Sequence, residues 1–177
     1  MPRTALRLVQ TPVGLVPVDR PPIVTSRLVL EPVARDQVEA FLAGDFRSVR
    51  RGDGWPRDEA EAGSPPWQLS LKFDVEVIWL VTLEGLVIGD CFTHGGADAA
   101  GDIEIGYGLA APYRGNGYGA ELVAGLAGWL ILHPQINRVV ARNVAADNTP
   151  SRRALERAGF VLQDDDNVHV AYAFARG

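Results

Sequence analysis

One hexapeptide limits what this chain can fold into more than any other feature. Arg114-Gly115-Asn116-Gly117-Tyr118-Gly119 follows a run of alternating apolar residues and a corner, Ala110-Ala111-Pro112-Tyr113. It leads directly into a segment in which Leu122, Val123, Leu126, Leu130 and Ile131 recur at helical spacing. Glycines at alternate positions let the backbone take left-handed conformations and approach a ligand closely. The amides of such a turn converge as an anion nest. The helix that follows brings unsatisfied N–H groups and the positive end of its dipole to the same spot, and Arg114 adds a full charge. These parts describe a phosphate or pyrophosphate cradle. The competing reading is a plain glycine-rich helix entry with no ligand.

Two common nucleotide turns do not fit. A P-loop needs Lys and Ser or Thr after its glycines, whereas Gly119 is followed by Ala120-Glu121. A dinucleotide-binding fingerprint needs its third glycine one residue later and an acid further on, where Val139-Val140 stands.

A chain of 177 residues suits one domain, or one domain with a small appendage. Its net charge of −5 does not gather nucleic acid and suits a cationic substrate better. Cys91 is the single cysteine and lies in an apolar run, so it reads as a small strand residue of the core, with no intrachain disulfide. No apolar run is long enough to cross a bilayer. Arg3, Arg7, Gln10 and Pro12 interrupt any leader-like stretch at the N-terminus. The expectation is a cytoplasmic enzyme with no membrane or nucleic-acid partner.

Breakers through 1–22 predict a loose N-terminal arm, with Leu15 and Val16 packing on a domain that spans 23–177. A strand is expected over 23–30, a short helix over 35–43, and an irregular connection over 45–66 around Gly52-Asp53-Gly54-Trp55-Pro56. Within that connection 58–61 could start a helix that Gly63 and Pro65-Pro66 stop. Trp55 is either a substrate contact or an aromatic plug over the core. A short helical pattern near 67–73 precedes strands over 75–83 and 86–93, hinged on Glu84-Gly85, and a third over 102–109. After the helix over 117–132 come a strand over 137–142, a helix over 149–158 stopped by Gly159, and strands over 160–163 and 168–174. That order predicts an α/β (α+β) mixed sheet with helices on its faces.

The turn between strand and helix, Arg-x-x-Gly-x-Gly, resembles the signature of the GNAT superfamily of acetyl-CoA-dependent N-acetyltransferases. Three further segments carry the resemblance: Thr25-Ser26-Arg27-Leu28-Val29-Leu30; Ile103-Glu104-Ile105-Gly106-Tyr107; and Asn148-Thr149-Pro150-Ser151 with Leu155-Glu156-Arg157-Ala158-Gly159-Phe160. They are similar to the ribosomal-protein alanine acetyltransferase branch. The resemblance implies a single-domain, mostly antiparallel twisted sheet of about six to seven strands. Two of them, parallel and splayed, would form the cofactor cleft. It also implies acetyl-CoA as cosubstrate, no metal, a small amine or a protein N-terminus as acceptor, and a homodimer as a candidate assembly. A non-catalytic acyl-CoA-binding module is the alternative.

Acetyl transfer from a thioester needs a neutral amine, a polarised carbonyl and a protonated leaving thiolate. On the 102–109 strand, Ile103, Ile105, Tyr107 and Leu109 share one face, which reads as core. Asp102, Glu104, Gly106 and Gly108 share the other, where the glycines would leave open space. By resemblance, Gly106, Gly108 and Leu109 border the pantetheine arm, and the loop residues Arg114, Gly115, Asn116, Gly117, Tyr118 and Gly119 hold the pyrophosphate. Asn143, Asn148 and Ser151 complete the cofactor side. Glu104 is the candidate base and Ser151 the candidate acid; their plain readings are a strand acid and a helix cap. The tyrosine that many members place further along this helix is missing, which leaves the acid role to Ser151 or to solvent. Arg152 and Arg153 are candidates for the cofactor phosphates or for a solvated face. His94 and His133 read as surface residues, His169 as a pocket candidate, and Asp164-Asp165-Asp166 as a solvated turn. None of these has metal-ligand spacing.

Overall fold

The computed structural model describes residues 8–11, 14–17, 20–57, 65–69 and 75–176. Among these residues, ten strands and four α-helices follow in order: β1 (Leu8–Thr11), β2 (Gly14–Pro17), β3 (Ile23–Val24), β4 (Leu28–Pro32), α1 (Arg35–Leu42), α2 (Pro66–Leu69), β5 (Val75–Leu83), β6 (Leu86–His94), β7 (Asp102–Leu109), α3 (Tyr118–Leu130), β8 (Arg138–Ala145), α4 (Thr149–Arg157), β9 (Val161–Asp165) and β10 (His169–Ala175). The candidate helix at 58–61 lies outside the described residues.

Eight strands form one sheet in the order β3-β4-β5-β6-β7-β8-β10-β9, one or two more than expected. The excess has a local cause. The 23–30 segment is not one strand but two, β3 and β4, folded on each other by a turn at Thr25-Ser26-Arg27 with Ile23 opposite Leu30. The arm, expected to be loose, carries a separate hairpin in which β1 pairs antiparallel with β2.

Every neighbouring pair in the large sheet is antiparallel except β7 with β8. That parallel pair holds only from Asp102↔Arg138 to Glu104↔Val140. Beyond it the strands part, and β8 shows why. Between the pairs Val170↔Val144 and Tyr172↔Ala141, β8 carries one residue more than β10. Asn143 takes φ 55 there. This is a β-bulge, which bends its strand and sharpens its twist; asparagine is among the few side chains that tolerate the left-handed conformation. The bulge starts two residues past the last β7 pair and turns β8 away.

Two cores flank the sheet. On one face α3 and α4 cover it, with Leu122, Val123, Leu126, Ala127 and Leu130 fully buried on one stripe of α3. Cys91 belongs to this core. On the other face Phe41, Phe46, Trp55 and Trp67 form a ring cluster with centroid separations between 5.1 and 6.2 Å. The cluster anchors the irregular connection, so Trp55 is the plug of the two readings, with 4% of its surface exposed.

Candidate donor and acceptor sites

The glycine turn leaves β7 through a single 3-10 turn, Ala111–Tyr113. Gly115 has φ 79 and Gly117 φ 81, and Gly117 is the N-cap of α3 with no side chain capping the helix. Among the described residues, the first amides of α3 therefore have no capping side chain. A Cβ at Gly115 would meet nothing within 4 Å. The turn thus offers open space at a helix N-terminus, the setting that favours an anion. The third glycine does something else: Gly119 lies inside α3 and brings the helix start against α4, where a Cβ would stand 3.5 Å from Ala154.

Arg114 does not project freely from the cradle. Its Nε donates to the carbonyl of Leu109 at 2.9 Å, which closes the end of β7 and sets the charge at the mouth of the splay. The corner before it is tied to the 50–55 connection: Asp53 N donates to Tyr113 Oη at 3.2 Å, and Gly52 N to the Val87 carbonyl at 2.8 Å.

Along the splayed part of β7 the predicted faces are correct, but the space beside the glycines is occupied. Phe92 lays its ring over Gly106, and the Arg57 guanidinium lies over Gly108; a Cβ at either glycine would collide with them. Arg57 is held by Asp90, which accepts from Arg57 Nη2 at 2.8 Å and from Trp55 Nε1 at 3.1 Å. Asp90 stands opposite Gly108 in the β6–β7 register and is buried. Burial pushes its carboxyl up, opposed by Arg57 and by the Trp55 bond. Alternation identifies a strand face; it does not reveal what a distant loop lays upon it.

Glu104 is the last β7 residue paired with β8, and across β6 it faces His94. Its carboxylate is partly exposed, with Arg142 Nη1 3.6 Å away. Asp102, one turn of the pleat earlier, is buried and bonded to Arg138 Nε at 2.8 Å and to Arg142 at 3.3 Å.

On the opposite face Tyr107 meets α4. Its phenol oxygen lies 2.8 Å from Ser151 Oγ and donates to the Ser151 carbonyl at 3.2 Å. Burial pushes the phenol up to about 12, against the opposing hydrogen bond from Ser151. Ser151 N donates to Asn148 Oδ1 at 3.2 Å, so Asn148 caps the helix and Ser151 sits in its first turn. Tyr107 was legible only as a core residue, because its polar partner is 44 residues away. Two other sequence readings change. Arg152 is engaged, donating to the Ala146 carbonyl at 2.9 Å and to Tyr172 Oη at 3.3 Å, which leaves Arg153 as the exposed one of the pair. His133 is buried rather than at the surface, accepting from Gln135 N through Nδ1. His169 and the acids Asp164, Asp165 and Asp166 are exposed.

A hollow of about 500 Å³ is lined by Ala43, Gly44, Asp45, Phe46, Arg47, Val49 and Arg51, and no residue of the cradle or the splay lines it. Among the described residues, no group of three or more His, Cys, Asp or Glu is placed to hold a metal, and no helix is long and apolar enough to cross a membrane.

This geometry agrees with the comparisons to known proteins. The family model for the acetyltransferase (GNAT) domain matches residues 27–161, and the chain belongs to that family of acetyl-CoA-dependent acetyltransferases. A search of curated proteins finds no match. Among solved structures, an acetyltransferase from Agrobacterium tumefaciens is 24% identical, with 90% of this chain and 96% of that one covered and a TM-score of 0.59. The ribosomal alpha-N-protein acetyltransferase RimL, solved with coenzyme A, is 18% identical over 88% of this chain and 98% of its own, with a TM-score of 0.61. The aminoglycoside acetyltransferase AAC(6')-Ib, also solved with coenzyme A, is 19% identical over 84% and 95%, with a TM-score of 0.59.

Proposed function

We propose that this acetyltransferase moves the acetyl group of acetyl-CoA to a primary amine by direct attack, with Glu104 as base and Ser151 as proton donor. The acceptor is a protein N-terminus or a small amine. The observation that carries this reading is the parting of β7 and β8 just after Glu104↔Val140, beside the open cradle at Gly115 and Gly117. The gap is flanked by unpaired strand backbone able to align an extended pantetheine arm. The cradle lies at the end of β7 from which that arm would enter.

The residues divide the chemistry by sheet face. Glu104 projects on the face bearing Arg57, Phe92 and the aromatic cluster, where an amine would approach and give up its proton. Ser151 stands on the other side, at the start of α4, where the leaving sulfur would lie. The phenol, neutral up to about 12, donates to the Ser151 carbonyl and lies 2.8 Å from the serine Oγ, so it orients the hydroxyl that would give its proton to the thiolate. Separation of base and acid on opposite sides of the gap suits attack from one side and departure on the other. Acetyl-CoA supplies the activated acyl group, and no covalent enzyme intermediate is required.

Calorimetry with acetyl-CoA, NAD and ATP tests the donor, and a screen of amines and peptide N-termini for release of free CoA tests the acceptor. Tight binding of NAD without acetyl-CoA would overturn the proposal. A cytoplasmic setting and a homodimeric assembly are parts of the same reading, checked by cell fractionation and light scattering.

A further inference from the structure

The Thr25-Ser26-Arg27 turn is distant from the cradle in sequence, yet it closes directly on it. Glu121, in the first turn of α3, accepts three hydrogen bonds from this turn: Thr25 Oγ1 at 2.6 Å, Arg27 N at 2.6 Å and Arg27 Nε at 2.7 Å. The other end of the Arg27 guanidinium reaches the loop. Nη1 donates to the Asn116 carbonyl at 3.0 Å, and Cζ stands 4.4 Å from the centroid of the Tyr118 ring. Nη2 would lie 3.4 Å from a Cβ at Gly117. Gly125 is what lets α3 press on the turn, since a Cβ there would come within 2.6 Å of Thr25 Cγ2.

These contacts answer two physical difficulties of the cradle. The first is charge. A carboxylate in the first turn of α3 suits the helix dipole but opposes an anion at the same terminus. Arg27 and Thr25 hold the Glu121 carboxylate on the side of the β3–β4 turn, where a guanidinium balances it. The second is orientation. The peptide between Asn116 and Gly117 is planar and trans, so its C=O and N–H point in opposite directions. Fixing the Asn116 carbonyl on Arg27 aims the Gly117 N–H the other way, into the concavity. Two left-handed glycines would otherwise leave that peptide free to turn.

We propose that Arg27 is a positioning residue of the donor site, orienting the Asn116–Gly117 peptide toward the pyrophosphate of coenzyme A while neutralising Glu121. The proposal rests on reading the 114–119 turn as the pyrophosphate site.

The test compares wild type with Arg27→Met, which keeps the side-chain stem and removes the fork. CoA binding is measured by calorimetry. Pantetheine, which lacks the pyrophosphate, is followed by ligand-observed NMR, and thermal melting reports folding. The dissociation constant for CoA is expected to rise about tenfold while that for pantetheine stays within about twofold. Glu121→Gln keeps the Arg27–Asn116 bond and removes the competing charge, so its CoA affinity is expected to equal or exceed that of wild type. Arg27→Lys cannot bridge Glu121 and Asn116 together; it is expected to show the same selective loss and serves if Arg27→Met does not fold. Unchanged CoA affinity in a folded Arg27 variant overturns the proposal. So does an equal loss for CoA and pantetheine, or a loss in Glu121→Gln as large as that in Arg27→Met. Failure of wild type to bind CoA at all would instead overturn the underlying donor-site reading, which the wild-type arm reveals separately.

Discussion

The phenol oxygen of Tyr107 lies 2.8 Å from the hydroxyl oxygen of Ser151, and this contact ties the splayed end of β7 to the first turn of α4. It sets the serine hydroxyl from two sides, because Asn148 holds the backbone of the same residue. Ser151→Ala is expected to lower kcat at least about tenfold with little change in CoA affinity. Tyr107→Phe should lower it less, about threefold, since the serine proton remains. Steady-state rates with CoA affinities from calorimetry check both. With Tyr107 neutral up to about 12, its removal should leave the shape of the pH–rate profile between pH 7 and 10 unchanged.

Glu104 stands where the parallel pairing ends, partly exposed and 3.6 Å from Arg142. Glu104→Gln keeps size and hydrogen bonding but cannot accept the amine proton. The expected outcome is a fall in kcat of about a hundredfold, with CoA affinity within about twofold of wild type. Unchanged turnover rejects the base assignment.

Asp90 is a stability element of the sheet face that carries the aromatic cluster. Its carboxylate partners both Arg57 and Trp55 while buried. Asp90→Ala leaves a guanidinium and an indole N–H without their acceptor and is expected to cost about 3 kcal/mol in denaturant unfolding. Gly108→Ala should destabilise through the same pair, because the new methyl displaces the guanidinium from above the strand.

The cradle glycines differ in what surrounds them. Gly115→Ala meets open space and should cost only the left-handed backbone conformation, about 1 kcal/mol. Gly117→Val adds crowding against Arg27 and a β-branched residue at φ 81, so CoA affinity is expected to fall more than about tenfold. Melting temperatures and calorimetric titrations of the two variants separate strain from ligand loss.

Glu121 makes stability depend on pH. Burial pushes its carboxyl up, but the bonds from Thr25 and Arg27 outweigh burial and hold it below the ordinary 4.5. A depressed acid binds fewer protons folded than unfolded near that value. Its contribution is therefore complete above pH 4.5 and lost as the pH falls through the folded-state value. Thermal melts of wild type and Glu121→Gln between pH 6 and 3 should differ in slope below about pH 4.5, with the variant flatter.

The cradle was legible in the amino-acid sequence because its chemistry is local. Contiguous residues, two left-handed glycines and the amphipathic stripe of α3 set the geometry of the turn, and the anion site proposed there rests on those parts. The alternation of β7 likewise assigned Glu104 and Tyr107 to opposite faces correctly. Tertiary structure decided what meets those faces. Arg27 reaches Glu121 across 94 positions, Tyr107 reaches Ser151 across 44, and Arg57 and Phe92 fill the space that Gly106 and Gly108 had suggested was open. The bulge at Asn143, which opens the cleft, shows only in the register of β8 against β10. Periodicity records the direction of a side chain relative to its own backbone, whereas a site depends on distances between segments, which are set only when the sheet and helices pack.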